Sequence, residues 1–198
     1  MMRTTGVPTS STTGVPIIRT LHAATLRRAH SVHPITAIQS EYSLWSRNPE
    51  IALLEACEAL GVTFVAFSPL GRGFLADGIH DPASFFAKDI RRGMPRFQSP
   101  NFENNLKLLP ELRAIAKEAD TTPAQVVLAW LLQKRPFIVP IVGTTSIAHL
   151  EEDLGATHAK LSPAVIGKLE SLINQHTVSG PRYPAETQKE IDTEEFVV

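Results

Sequence analysis

Val62-Thr63-Phe64-Val65-Ala66-Phe67-Ser68, followed at once by Pro69-Leu70-Gly71-Arg72-Gly73, is an apolar run of strand length that ends in a glycine-bearing turn. Two further runs of this kind are Ile35–Gln39 and Phe137–Val142. Each is followed by a helical pattern. Asn48-Pro49-Glu50 supplies a cap side chain and a proline at the first helical position, and Leu53, Leu54, Cys57 and Leu60 recur at helical spacing before Gly61. Thr122-Pro123-Ala124-Gln125 has the form of a capping box, with Val126, Val127, Trp130 and Leu131 behind it. Ser162-Pro163 opens a third helix that turns Ile166, Leu169 and Ile173 inward, and two more are expected at 23–32 and 146–156.

Strands that are apolar throughout are covered on both faces, and strands separated by capped helices run parallel because the crossover needs a dozen or more residues. The fold class is therefore α/β. In such folds ligands sit at the carboxyl ends of the strands. Here those ends are Gln39-Ser40-Glu41-Tyr42, Ser68–Gly73 and Val142-Gly143-Thr144-Thr145. The glycines of Ser68–Gly73 let backbone N–H groups approach an anion and Arg72 adds charge, although a plain turn leaving a strand uses the same residues. Gly143-Thr144-Thr145-Ser146 meets a helix N-terminus, which also favours an anion, while simple capping by Ser146 accounts for it equally. Two such turns at corresponding strand ends point toward a dinucleotide.

The composition narrows the classes. The 198 residues are 43% hydrophobic and 20% charged with a formal charge of -1, enough for one large core. A single cysteine, Cys57, excludes a disulfide framework and a cysteine zinc cluster, and no metal site is expected; an inert core thiol is the default for it. No run approaches the roughly 20 apolar residues of a membrane span, and no basic patch announces nucleic acid. Residues 1–19, with Thr-Thr-Gly-Val-Pro at 4–8 and again at 12–16, read as a low-complexity tail, 20–183 as the folded body and 184–198 as a C-terminal tail. The cytoplasm is the expected location.

Three stretches together resemble the aldo-keto reductases: Ile38-Gln39-Ser40-Glu41-Tyr42-Ser43-Leu44-Trp45, then Ala66–Leu75, then Pro140–Thr144 with Leu150–Ala156. That resemblance implies a (β/α)8 TIM-type barrel of which this chain carries strands equivalent to the last three or four, and NAD(P)H-dependent reduction of an aldehyde or ketone. It places Gln39 on the nicotinamide carboxamide and Phe67 against the nicotinamide ring. Ser68, Leu70 and Gly73 would line the pyrophosphate, and Gly143, Thr144, Glu152 and Asp153 the adenosine. The cofactor would be NADPH, with NADH as the alternative.

The family's catalytic Asp, Tyr, Lys and His belong to earlier strands, and residues 1–34 supply no such set, so no catalytic residue is assigned. The fifth strand, Ile17–Thr20, runs almost directly into Leu21 without the expected turn. Thr145–His149 hold no Lys or Arg for a 2′-phosphate, and Asp153 stands where Asn is usual. Trp45 and Phe74, with Phe97 and the segment from Ala76 to Asn105, are expected to line or cover a substrate pocket, with surface filler as the alternative. Tyr42 reads as packing or substrate lining, with a stand-in proton donor as the sharper alternative. The partner would be a small carbonyl substrate, given a catalytic half from elsewhere. A half-barrel with two open edges further suggests a homo-oligomer or a complementary half-barrel. The alternative function is a non-catalytic dinucleotide-binding or regulatory module.

Overall fold

The computed structural model describes residues 17–196. Four parallel strands, β1 (Ile17–Arg19), β2 (Ala37–Glu41), β3 (Thr63–Phe67) and β4 (Ile138–Ile141), lie in the order β1-β2-β3-β4. Helices α1 (Ala23–Val32), α2 (Leu53–Leu60) and α5 (Pro123–Lys134) connect them, with α3 (Asn101–Leu106) and α4 (Leu109–Glu118) in the long β3–α5 passage. After β4 come α6 (Ile147–Gly155), α7 (Pro163–Leu172) and α8 (Ala185–Lys189). Sequential parallel strands joined through helices make this a partial (β/α) barrel.

The local signals act as their chemistry requires. Thr122 Oγ1 accepts the Gln125 N–H and the Gln125 side chain accepts from the Thr122 N–H, closing the capping box of α5. Gly61 ends α2 at φ +67, the left-handed conformation that glycine adopts without a Cβ penalty. The helix expected from Asn48 is instead a 3-10 turn at Asn48–Glu50 separated from α2, because Ala52 leaves helical geometry at φ -153. β2 runs two residues past the expected end, since Ser40 and Glu41 are buried and partnered rather than solvated. α4 is a helix that the reading above did not single out, although Leu109, Leu112, Ile115 and Ala116 form its buried face.

One face of the sheet, with Ile38, Phe64, Ala66 and Ile138, is buried under the helices. α5 contributes Val126, Val127, Trp130 and Leu131 to the same core, and Leu26 and Cys57 join it from α1 and α2. The register puts Gln39, Val65 and Val139 in one row of the opposite face, and Phe67 and Ile141 in the next. That face is less covered: Val65 and Phe67 are half-buried, and Val139 and Ile141 are exposed.

The expected tails differ from what is observed. The repeats at 4–8 and 12–16 lie outside the described residues, but Ile17–Arg19 pair with β2 as an edge strand. At the other end, the Glu194 carboxylate accepts the Ala23 N–H at the start of α1 at 2.7 Å, and Asn48 Nδ2 donates to the Glu194 carbonyl at 2.8 Å. A carboxylate at a helix N-terminus meets free N–H groups and the positive end of the helix dipole. Thr193 and Glu194 are thereby buried against the body, while Ala185, Glu186 and Lys189 of α8 stay exposed. No helix among the described residues is long and apolar enough to cross a membrane.

Candidate functional site

A pocket of about 680 Å³ opens at the carboxyl ends of β3 and β4. Ser68, Leu70 and Gly73 line one side, and Gly143, Thr144, Glu152 and Asp153 the other. The β3 end curls tightly because Ser68, Gly71, Arg72 and Gly73 all hold positive φ, at 51, 56, 59 and 92°. Internal hydrogen bonds set the curl: Gly71 N–H donates to the Ser68 carbonyl and Gly73 N–H to the Leu70 carbonyl, each at 3.0 Å. Across the pocket, Ser146 caps α6 by accepting the His149 N–H, and Thr144 Oγ1 accepts the Ser146 N–H at 3.1 Å. A Cβ on Gly143 would meet nothing within 4 Å, so the lining there is open. Gln125 Nε2 donates to the Glu152 carbonyl at 3.0 Å and holds α6 against α5.

Gln39 and Phe67, the other two residues assigned to the cofactor, stand on the inner face of the sheet and do not line this pocket. Seven of the nine assigned positions are thus gathered in one cavity, and Gln39 and Phe67 are outside its lining. Trp45 and Phe74 are elsewhere. Their rings lie 4.2 Å apart within an aromatic cluster that includes Phe97, and Phe74 is fully buried. The β3–α5 passage folds a small core around them, and Trp45 also borders a smaller cavity of about 180 Å³ with Arg47 and Arg96. That passage, within the segment expected to line or cover a pocket, sends Arg91 into the lining. Arg91 is fixed by Asp89, at 2.6 and 2.9 Å, and donates to the Arg72 carbonyl at 3.1 Å.

The Arg72 guanidinium, by contrast, turns toward Glu41 at 3.5 Å and toward the Tyr183 hydroxyl at 3.2 Å. Glu41 Oε2 also accepts from Arg182 Nε at 3.1 Å and from the Tyr183 hydroxyl at 2.5 Å, while Ser46 Oγ donates to Oε1 at 3.2 Å. Burial pushes the Glu41 carboxyl up, but Arg182 and Arg72 outweigh it and hold the group below its ordinary range. Burial also pushes Arg96, donating to the Trp45 and Gly180 carbonyls nearby, down to about 10. In the pocket itself the Asp153 carboxyl is raised, by burial first and then by the neighbouring Glu152.

Neither of the chain's two tyrosines is placed to donate a proton to a ligand. Tyr42 is fully buried, its hydroxyl donates to Glu50 at 2.7 Å, and burial with the Glu50 charge raises its pKa far above the ordinary phenol. Tyr183 is pushed up to about 12, by burial and then by Glu41.

The family model for the aldo/keto reductase family matches residues 12–174. An aldo-keto reductase of Schizosaccharomyces pombe, yakc [NADP(+)], is 42% identical over 165 residues, which are 82% of this chain and 48% of the relative. The chain therefore spans about half the length of that curated relative. A thermostable aldo-keto reductase crystallised with the inhibitor epalrestat superposes with a TM-score of 0.57 at 32% identity, over 78% of this chain and 46% of that one. A glycerol dehydrogenase of Gluconobacter oxydans superposes with a TM-score of 0.71 at 21% identity, over 84% and 50% of the two chains, and shows the shared fold.

Proposed function

The chain belongs to the aldo/keto reductase family, and from that premise we propose that it forms the dinucleotide-binding half of an NADPH-dependent reductase of aldehydes or ketones. The observation that carries this reading is the pocket of about 680 Å³, which collects Ser68, Leu70, Gly73, Gly143, Thr144, Glu152 and Asp153 at two adjacent parallel strand ends. The residues suit the group: a curled glycine-bearing loop and an open Gly143 leave backbone room for a pyrophosphate, and the N-terminus of α6 favours its charge. Arg91 adds a fixed guanidinium to that side. Glu152 and Asp153 suit the hydroxyls of a ribose. Gln39 offers both amide donor and acceptor to a carboxamide, and Phe67 offers a ring face.

When bound, a reduced nicotinamide supplies hydride to a carbonyl carbon. The carbonyl oxygen then needs a proton, and Tyr42 and Tyr183 are both held by carboxylates. In this reading the chain binds and orients the dinucleotide, and the proton comes from a group outside the described site. The same engagement of both tyrosines favours a second reading, a binding module without turnover.

Calorimetric titration with NADPH and NADH tests the proposal. Micromolar binding is expected, and a folded chain that binds neither overturns both readings; binding without reduction of any carbonyl selects the second. Gln39→Ala should weaken binding by about 1–3 kcal/mol, because the carboxamide is left unpaired. Unchanged affinity in the same titration would remove Gln39 from the site. Thr145 is exposed beside the pocket, and Thr145→Arg should strengthen NADPH relative to NADH by pairing the 2′-phosphate. An equal change for both cofactors would show that residue 145 does not reach that phosphate.

A further inference from the structure

The cavity of about 180 Å³ that Trp45 borders lies between the loop after β2, Arg96 and residues 175–196. None of its lining residues belongs to a strand, and none lines the dinucleotide pocket. Three guanidinium groups line it, those of Arg47, Arg96 and Arg182, against a single carboxylate, Glu195. Two of the three have carboxylate partners: Arg47 Nε and Nη2 donate to Glu50 at 2.9 and 2.7 Å, and Arg182 Nε donates to Glu41 at 3.1 Å. Arg96 has none among the described residues. Its Nε and Nη1 donate to the Gly180 and Trp45 carbonyls and to Ser46 Oγ, and burial pushes its pKa down to about 10. Glu195 does not answer it, because its two oxygens accept from the Asn48 and Gln188 amides. Unpaired polar atoms are a second, independent sign. Trp45 Nε1 and Arg182 Nη1 and Nη2 are buried donors without a partner among the described residues, and Gln188 Oε1 is an acceptor in the same condition. All three residues line the cavity, with Trp45 5% exposed and the Arg182 side chain 4%. Buried polar groups are rarely left so.

We propose that this cavity binds a phosphate group, held by Arg96, Arg182 and the Trp45 indole N–H. Planar guanidinium groups match the spacing of phosphate oxygens, and charge-assisted hydrogen bonds of this kind are the strong ones. The bound anion supplies the negative charge that Arg96 lacks, and a cation taken out of water is stable only when it is paired and hydrogen-bonded. Gln188 Oε1 sets the class of anion. It calls for a donor, and a hydrogen phosphate carries an O–H where sulfate has none.

Calorimetric titration of the full chain with inorganic phosphate, near neutral pH and at constant ionic strength, tests this. Saturable binding is expected, with sulfate weaker by about tenfold or more for want of the hydrogen bond to Gln188. Absence of saturable binding, or sulfate equal to phosphate, overturns the proposal. Glu195 is exposed and is the one carboxylate of the lining, so Glu195→Gln should tighten phosphate several-fold, a gain that partial unfolding does not imitate. Trp45→Phe removes the indole donor and should weaken phosphate by about tenfold or more. An unchanged affinity in Glu195→Gln would place the anion elsewhere. Repeating the titration with excess NADPH separates the two cavities: the phosphate affinity should stay the same, and its loss would assign the anion to the dinucleotide pocket and overturn the proposal. Methyl phosphate that binds more tightly than the free ion identifies the group as the end of a small ester, and weaker binding identifies the free ion. Failure here leaves the proposed function standing, since neither variant touches the lining of the dinucleotide pocket.

Discussion

Glu41→Ala should destabilise the chain by about 3–5 kcal/mol, the cost of removing one member of a buried ion pair and leaving the other charge without compensation. Glu41 ends β2 and is the carboxylate on which Arg182, Arg72 and Tyr183 converge. The Arg182 side chain is 4% exposed, so its charge has no recourse to water once the carboxylate is gone. Because residues 181–183 are joined to the strand end through this carboxylate, the loss should also loosen the C-terminal segment. Urea unfolding followed by circular dichroism reads the stability, and limited proteolysis reads the segment. Adding Arg182→Met to Glu41→Ala should recover part of the loss, because it removes the orphaned charge; an additive double variant would show that the two groups do not interact.

The same carboxylate sets a pH dependence. Its native pKa lies below the ordinary 4.5, so the unfolded chain binds the proton more readily. The stabilisation is therefore complete above about pH 4.5 and is lost as the pH falls through the lower native value. Unfolding midpoints for the parent chain should fall over that acid range more steeply than those of Glu41→Ala. Equal slopes would show that Glu41 titrates normally.

These contacts also mark where the sequence stops being readable. β3, β4, α5 and α7 are legible because burial and capping are local: an apolar run, a Thr-Pro-x-Gln start and a Ser-Pro start each state their own case within a few residues. The two strand-end turns could be recognised as candidate anion sites for the same reason, and the structure brings them to one pocket. The Glu41 cluster is different. Its partner Arg182 lies 141 residues away, and nothing in the spacing of either residue announces the other. Arg91 enters the pocket from a passage without periodicity, held by a two-residue link to Asp89. Phe74 and Trp45 show the limit from the other side, since an aromatic side chain beside a long passage can line a cavity, fill a core or, as Trp45 does, do both, and only packing shows which. The burial of Glu194 near the C-terminus likewise depends on its reaching Ala23, a contact of 171 residues in separation.

Gly71→Ala should cost about 2–5 kcal/mol, from left-handed backbone strain of ~1–2 and overpacking of ~1–3 kcal/mol. Gly71 holds φ +56, and a Cβ there would lie 2.4 Å from Trp45 Cε3 and 3.1 Å from Leu75 Cγ. Neither neighbour is free to retreat: Trp45 packs against Phe74 with ring centroids 4.2 Å apart, and Leu75 is fully buried. The loop itself must then move, and with it Ser68, Leu70 and Gly73, which line the pocket, so dinucleotide affinity should fall together with stability. Gly143→Ala separates the two effects. Its Cβ would meet nothing and its backbone lies outside the left-handed region, so stability should stay within about 0.5 kcal/mol of the parent. The added methyl nevertheless enters the pocket lining where the proposed pyrophosphate approaches the backbone, and affinity for NADPH should fall. Unfolding midpoints and calorimetric titration of the two variants decide the matter: a Gly143→Ala chain that keeps both its stability and its affinity would place the dinucleotide away from the end of β4.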